Sequence, residues 1–306
     1  MQVKSIITII FFSVLVYALM ILYGDLMSLE KALLDIDISL LFLILALTTL
    51  NLIFRFFRWH YYVSRVCSLK ISDSVLIFLL GNSMTLSPGK VGEVVKCFIL
   101  KDHYKLPIRK TLPIIILERL TDFLSMLVLI LLSSHFFFSS YFTSSAILIF
   151  LVIASILTIK SKKVESTLLL FLSKKFRYKK MGDFHKNLKK SLSAENILIG
   201  LLFGIPAWFF ECLGLFLTIK LFKQSLPLIH AIFVYSFSSI AGAVLMLPGG
   251  LGITEASLAG LLSYLGIEKS LSIGISLVIR LCTLWFAVFI GIIAFFVFKI
   301  KSKEKR

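Results

Sequence analysis

Apolar runs, several of them long enough to cross a bilayer, recur through this chain from residue 5 to residue 298, and they restrict its fold class before any motif is read. Bilayer hydrocarbon is about 30 Å thick, so a spanning helix needs roughly 20 predominantly apolar residues. The runs lie at about 5 to 23, 38 to 57, 74 to 87, 111 to 133, 143 to 159, 197 to 219, 228 to 247, 252 to 266 and 271 to 298. Backbone facing lipid must satisfy its own hydrogen bonds, so these runs are expected to be helical. A composition 58% apolar and 16% charged fits a membrane protein rather than a large soluble core. The expected class is therefore all-α: one polytopic membrane domain over residues 1–306. Its first run, preceded by Lys4, reads as an uncleaved span, because it is long and no small-x-small cleavage site follows.

Charge then sets orientation. The net charge of +17 is concentrated in a few loops and at the C-terminus, not along a face interleaved with aromatics, so it points to topology and not to nucleic acid. Between residues 160 and 190 there are eleven Lys or Arg against only Glu165 and Asp183, which places the 160–193 loop in the cytoplasm. Lys299, Lys301, Lys303, Lys305 and Arg306 place the C-terminus on the same side, and Lys4 the N-terminus. Asp25, Glu30, Asp35 and Asp37 suit the outside. The expected location is the inner, cytoplasmic membrane with both termini cytoplasmic.

Two segments interrupt this pattern: Ser87-Pro88-Gly89-Lys90-Val91-Gly92-Glu93 and Pro248-Gly249-Gly250-Leu251-Gly252-Ile253-Thr254-Glu255. Each is expected at the tip of a helical hairpin. The first enters and leaves from the cytoplasm, between Arg58, Arg65 and Lys70 on one side and Lys101, Lys105, Arg109 and Lys110 on the other. The second must enter and leave from outside to keep the C-terminus inside. At about 1.5 Å per residue the arm from 91 to 101 reaches only about half the hydrocarbon thickness, so it is expected to be re-entrant.

The halves also match in spacing. Pro88 to Arg119 is 31 residues and Pro248 to Arg280 is 32, while Glu93 to Arg119 is 26 and Glu255 to Arg280 is 25. The chain thus reads as two inverted repeats, at about 38–133 and 197–298, each with a Pro/Gly-tipped re-entrant hairpin. Paired interruptions of this kind point to a transporter's binding site near the midplane.

Charges at membrane depth cost roughly 2.5 to 3.5 kcal/mol each on insertion scales, so Glu93, Glu118, Arg119, Asp122, Glu211, Glu255 and Arg280 need partners or water. One reading is structural: Arg119 and Asp122 lie i to i+3, Glu118 and Asp122 i to i+4, on one helix. The other is a binding site. Gly89, Gly92, Gly249, Gly250 and Gly252 permit tight turns after Pro88 and Pro248, and a helix starting there offers N–H groups to an anion. Arg119 or Arg280 would add a planar fork matched to phosphate. Glu93 and Glu255 could cap those helices, hold the arginines or carry a proton. Arg55 and Arg58 are read as snorkelling to headgroups in preference to a role in the site, and Trp59, Tyr61 and Tyr62 as interfacial anchors.

Cys67, Cys97, Cys212 and Cys282 stand singly, without a C-x-x-C or a nearby His, and read as small apolar residues. No metal site and no cofactor is expected. No nucleophile elbow, Walker loop or H-E-x-x-H is present, so the chain is not expected to be an enzyme or to hydrolyse ATP.

These motifs, with Leu117-Glu118-Arg119-Leu120-Thr121-Asp122 and Ile279-Arg280-Leu281, resemble the transmembrane domain of the lysylphosphatidylglycerol synthases, a flippase-like family, over almost the whole chain. The resemblance implies movement of an anionic phospholipid, such as aminoacylated phosphatidylglycerol, or of a polyprenyl-phosphate-linked sugar between leaflets. It also implies a glycosyltransferase or lipid-modifying enzyme as neighbour. The soluble synthase domain is not seen, so lysine transfer is not expected. Where family members often carry a proline in the last helix, this chain has Trp285-Phe286-Ala287. An intramembrane enzyme acting on a lipid phosphate and a scaffold for a glycosyltransferase stand as alternatives.

Overall fold

The computed structural model describes residues 37–87, 91–134 and 181–304. The expected spans at 5 to 23 and 143 to 159, the Pro88-Gly89-Lys90 tip, the acidic segment before Asp37 and the basic stretch 160–180 lie outside these residues. The regular elements described are helices: α1 (Ile38–Ser64), α2 (Ile71–Asn82), a 3-10 turn (Val91–Val94), α3 (Val95–Tyr104), α4 (Ile108–Ser134), α5 (Met181–Ser191), α6 (Ala194–Leu221), α7 (Leu228–Val244), α8 (Ile253–Tyr264), α9 (Lys269–Arg280), a π turn (Leu281–Trp285) and α10 (Phe286–Glu304).

Each helix other than α3 and α5 follows an expected apolar run, α5 falling in the expected basic loop, and the boundaries shift for local reasons. Asp37 caps α1 by accepting from the Ser39 N–H at 2.9 Å, and Ser193 caps α6 by accepting from the Asn196 N–H at 3.4 Å. Helix α1 runs seven residues past the apolar stretch, to Ser64, because Arg58, Trp59 and Tyr62 are buried in the bundle instead of marking its edge. Among the described residues, α1, α6 and the continuous α9–α10 segment Lys269–Lys301 are long and apolar enough to cross a membrane. Helix α4 has the length, with 27 residues, but carries Glu118, Arg119 and Asp122 at its middle.

Helix α6 packs along α1 and α4 and touches α7 and α9, so it is the central post of the bundle. Lipid tails are as apolar as leucine, and association in a bilayer therefore relies on close approach and polar contacts. Gly200 and Gly204 provide the approach on α6. A methyl group at Gly204 would overlap the Ser125 hydroxyl of α4, and one at Gly200 the Thr121 side chain and the Tyr62 hydroxyl. Two apolar clusters flank this seam. One gathers Leu215, Ile219, Ala231, Leu258 and Ile275 from α6 to α9, and the other gathers Trp59, Ile77, Cys97 and Ile114 from α1 to α4. Phe42, Leu198, Leu202, Phe289 and Phe296 point outward, as expected of a lipid-facing surface.

Helix α10 lies along α2. Gly291 brings the two backbones together, since a methyl there would press on the Ser83 amide and on Leu79 O. At the end of this pair Asp73 accepts from Lys301 Nζ and from the Tyr104 hydroxyl, each at 2.6 Å. Burial, and then the hydrogen bond to Asp73, push the Tyr104 hydroxyl above the usual phenol range, so it remains a donor at neutral pH. The π turn at Leu281–Trp285 falls where the resemblance leads one to look for a proline, and there the backbone hydrogen bonds of the last span reach one residue further than in an α-helix.

Candidate functional site

The site begins with a polar stripe on α1. Thr48, Asn51, Arg55, Arg58 and Tyr62 are spaced three and four apart, lie on one helical face and are all buried. Asn51 Nδ2 donates to Ala207 O of α6 at 2.8 Å. Arg58 is fully buried and donates to Asp122 at 2.6 Å and to Thr121 Oγ1 at 3.2 Å. Neither it nor Arg55 snorkels, which corrects the sequence reading. Trp59 and Tyr62 are likewise core residues: the Lys96 ammonium sits 4.4 Å from the Trp59 ring centre, and the Tyr62 hydroxyl donates to Asn196 O at 2.9 Å.

From Arg58 a row of alternating charges runs through the first half. Asp122 lies 2.6 Å from Arg58 and 3.0 Å from Arg119. Arg119 reaches Glu93 at 3.2 Å, Glu93 reaches Lys96 at 3.4 Å, and Lys96 reaches Glu118 at 2.8 Å. Three cations and three carboxylates thus form an unbroken row with no net charge, which offsets the cost of burying each one singly. The expected Arg119–Asp122 pair is present. Glu118 turns instead to Lys96, a residue the sequence reading left out.

The second half is organised around Glu255. Its Oε1 accepts from Arg280 Nε at 2.7 Å, and its Oε2 accepts from the Gly252 N–H at 2.7 Å. Arg280 also donates to Gly249 O at 2.7 Å, which ties the end of α9 to the turn between α7 and α8. That turn needs positive φ at Gly249, Gly250 and Gly252, where glycine carries no side-chain penalty. At the other interruption the Gly92 N–H donates to Ser87 Oγ at 2.5 Å. The N–H groups of Gly92 and Gly252 are thus taken up by the protein, and the cations carry the free donor capacity.

Between the halves lies a cavity of about 310 Å³. Arg55, Asn82, Arg119, Asp122, Glu211 and Arg280 line it, together with Trp208, Tyr235, Gly249, Gly250, Thr254 and Thr283. Tyr235 donates to Glu211 at 2.6 Å, which gives this glutamate a phenol among its partners. Trp208 Nε1 donates to Asp122 at 3.1 Å.

Of the residues singled out in the sequence, Arg119, Asp122, Glu211, Gly249, Gly250 and Arg280 border the cavity. Glu93 and Glu255 stand behind the two arginines as their partners, Glu118 holds Lys96, Gly92 and Gly252 shape the turns, and Pro248 precedes the second turn. Pro88 and Gly89 lie outside the described residues. Sequence reasoning set a site role for Arg55 behind snorkelling, and missed Asn82, Lys96, Trp208 and Tyr235. The three-and-four spacing of Asn51, Arg55 and Arg58 inside an apolar run was a usable signal for Arg55. Among the described residues, no cluster of His, Cys, Asp or Glu has the arrangement of a metal site.

The family described as the lysylphosphatidylglycerol synthase TM region matches residues 8–291. A UPF0104 membrane protein of Methanothermobacter thermautotrophicus is 26% identical over 129 residues, 41% of this chain but only 37% of that relative's length. A UPF0104 membrane protein of Pyrococcus horikoshii is 20% identical over 293 residues, covering 85% of this chain and 88% of the relative. One from Methanocaldococcus jannaschii is 26% identical over 218 residues, covering 70% and 92%.

Proposed function

Because this chain belongs to the family of the lysylphosphatidylglycerol synthase transmembrane region, we infer that it is a lipid transporter of the cytoplasmic membrane, moving an anionic phospholipid or a polyprenyl-phosphate-linked sugar between leaflets. The observation that carries this reading is the cavity between the apolar helices, bordered by three arginines and too small, at about 310 Å³, for a whole lipid. A headgroup fits such a space while acyl or prenyl chains stay in the bilayer. Arginine suits the phosphate common to both lipid classes, because its fork matches two oxygens at once.

In this reading the two halves are inverted repeats with re-entrant hairpins, and both termini are cytoplasmic. Support comes from the pairing repeated in each half: Glu93 with Arg119 at 3.2 Å and Glu255 with Arg280 at 2.7 Å. Exchange of access between the two hairpins would carry the headgroup across. A glycosyltransferase or lipid-modifying enzyme would supply or consume the lipid.

The test is lipid movement in proteoliposomes containing a fluorescent phosphatidylglycerol, read as the fraction that a membrane-impermeant reductant can bleach. Wild-type protein should raise the bleached fraction from about half toward completion. Ala287→Trp, which fills the cavity, should not. Bleaching no greater than in protein-free vesicles would refute transport of that lipid. Chemically altered lipid recovered afterwards would favour an enzyme instead.

A further inference from the structure

The three arginines at the cavity are not equivalent. Arg280 is held by Glu255 and by Gly249 O, and Arg119 by Glu93 and Asp122. Arg55 differs from both. It is 7% exposed and borders the cavity, its Nε has no hydrogen-bond partner, and no carboxylate among the described residues pairs with it. Its neighbour one turn along, Arg58, is clamped onto Asp122 of α4 at 2.6 Å, and no such partner stands beside Arg55 among the described residues.

A buried guanidinium with no counter-charge is costly, and proteins keep such groups where a ligand completes them. A second donor shares the cavity. Asn82, 2% exposed at the end of α2, presents an Nδ2 with no partner. Arg119 Nε is likewise unpartnered. Across the cavity wall the unanswered groups are therefore donors. The one comparable oxygen, Asp122 Oδ2, already lies 3.0 Å from Arg119. Glu211, the other carboxylate of the wall, accepts from the Tyr235 hydroxyl. A wall with surplus buried donors and an arginine outside any ion pair among the described residues is complementary to an oxyanion, which brings acceptors and negative charge.

We propose that Arg55, with Asn82 as a second donor, is the oxyanion subsite of this cavity, receiving one phosphate-type group, while Arg119 and Arg280 hold the surrounding framework. The assignment rests on the transport reading above and gives it a specificity-determining residue. It also reverses the roles that the repeat pattern suggests, in which the paired arginines bind the phosphate. The paired arginines have protein partners; among the described residues Arg55 has none.

The subsite is tested on purified full-length protein by following thermal unfolding in detergent during titration with three probes: dioctanoyl phosphatidylglycerol, dioctanoylglycerol without phosphate, and sodium phosphate. Without ligand, Arg55→Gln should melt at or above the wild-type temperature, because it removes a buried, unpaired charge. With phosphatidylglycerol the wild type should be stabilised, and Arg55→Gln should need at least tenfold more lipid for the same shift. Arg55→Lys, which keeps the charge but not the fork, should fall between them. Dioctanoylglycerol should shift neither protein. Stabilisation by lipid but not by sodium phosphate identifies the ligand as a lipid headgroup; stabilisation by both, lost together in Arg55→Gln, identifies the oxyanion itself as sufficient. An Arg55→Gln variant that titrates like wild type overturns the subsite and leaves the lipid reading intact. One that melts well below wild type without ligand marks Arg55 as structural and also overturns it. A wild type indifferent to both phosphate-bearing probes overturns the subsite and the anionic-headgroup reading together.

Discussion

Glu255 holds Arg280 with one carboxylate oxygen and caps its own helix with the other, both at 2.7 Å. The same side chain therefore fixes the start of α8 and the end of α9. Glu255→Gln keeps a group able to accept from the Gly252 N–H but leaves Arg280 without its counter-charge. Breaking a buried pair from one side costs about 3–5 kcal/mol. The loss should appear as a lower unfolding temperature in detergent. Adding Arg280→Met should recover most of it, since the stranded charge is then gone.

The row from Arg58 to Glu118 predicts an order of effects. Asp122 touches two arginines, whereas Glu118 touches Lys96 alone among the row's cations. Asp122→Asn should destabilise more than Glu118→Gln, by roughly the value of one further charge-assisted bond, about 1.5–3 kcal/mol. Thermal unfolding of the two variants side by side checks the order. Equal losses would mean that the row does not act as a connected unit.

Close approach at α6 gives a steric prediction. Gly204→Val must displace Ser125 and press on Arg58, and overpacking of this kind costs about 1–3 kcal/mol. Gly260→Ala, on α8, meets nothing within 4 Å and should be neutral or stabilising by up to about 1 kcal/mol. Comparing the unfolding temperatures of both variants with wild type separates packing from any general sensitivity to losing glycine.

Orientation can be read from single cysteines placed in a background lacking the four native ones. In the inverted-repeat reading, Gln224→Cys and Glu268→Cys should react with an impermeant maleimide in intact cells. Gly182→Cys and Lys301→Cys should react only after permeabilisation. Labelling of residue 182 in intact cells would remove the basis for the inverted repeat.

Much of the bundle was legible because apolar length is a strong signal: the helices at 38–64, 108–134, 194–221 and 269–304 all follow runs visible in the sequence. The Glu–Arg pairs were legible too, from matched spacing in the two halves. Arg55, Asn82 and Lys96 were not. A basic residue near the end of an apolar run looks the same whether it snorkels to headgroups or turns inward, and only the facing helix decides. Here Asp122 and Thr121 of α4 draw Arg58 inward, and α1 continues with it. Lys96 was hidden for a related reason. Its partners Glu93 and Glu118 lie on separate elements, one in the 3-10 turn before α3 and the other on α4.

The alternating row has a consequence for how the protein is made. Glu118, Arg119 and Asp122 sit within five residues at the middle of α4, and three charges there would cost a lone helix roughly 8–10 kcal/mol to insert. Their counter-charges belong to α1, to α3 and to the turn before α3, all of which leave the ribosome earlier. Arg119 and Asp122 answer each other within α4, and Arg58, Glu93 and Lys96 answer the rest. Joint entry of the four segments into lipid, as one electrically neutral parcel, offsets a cost that helix-by-helix entry would leave standing.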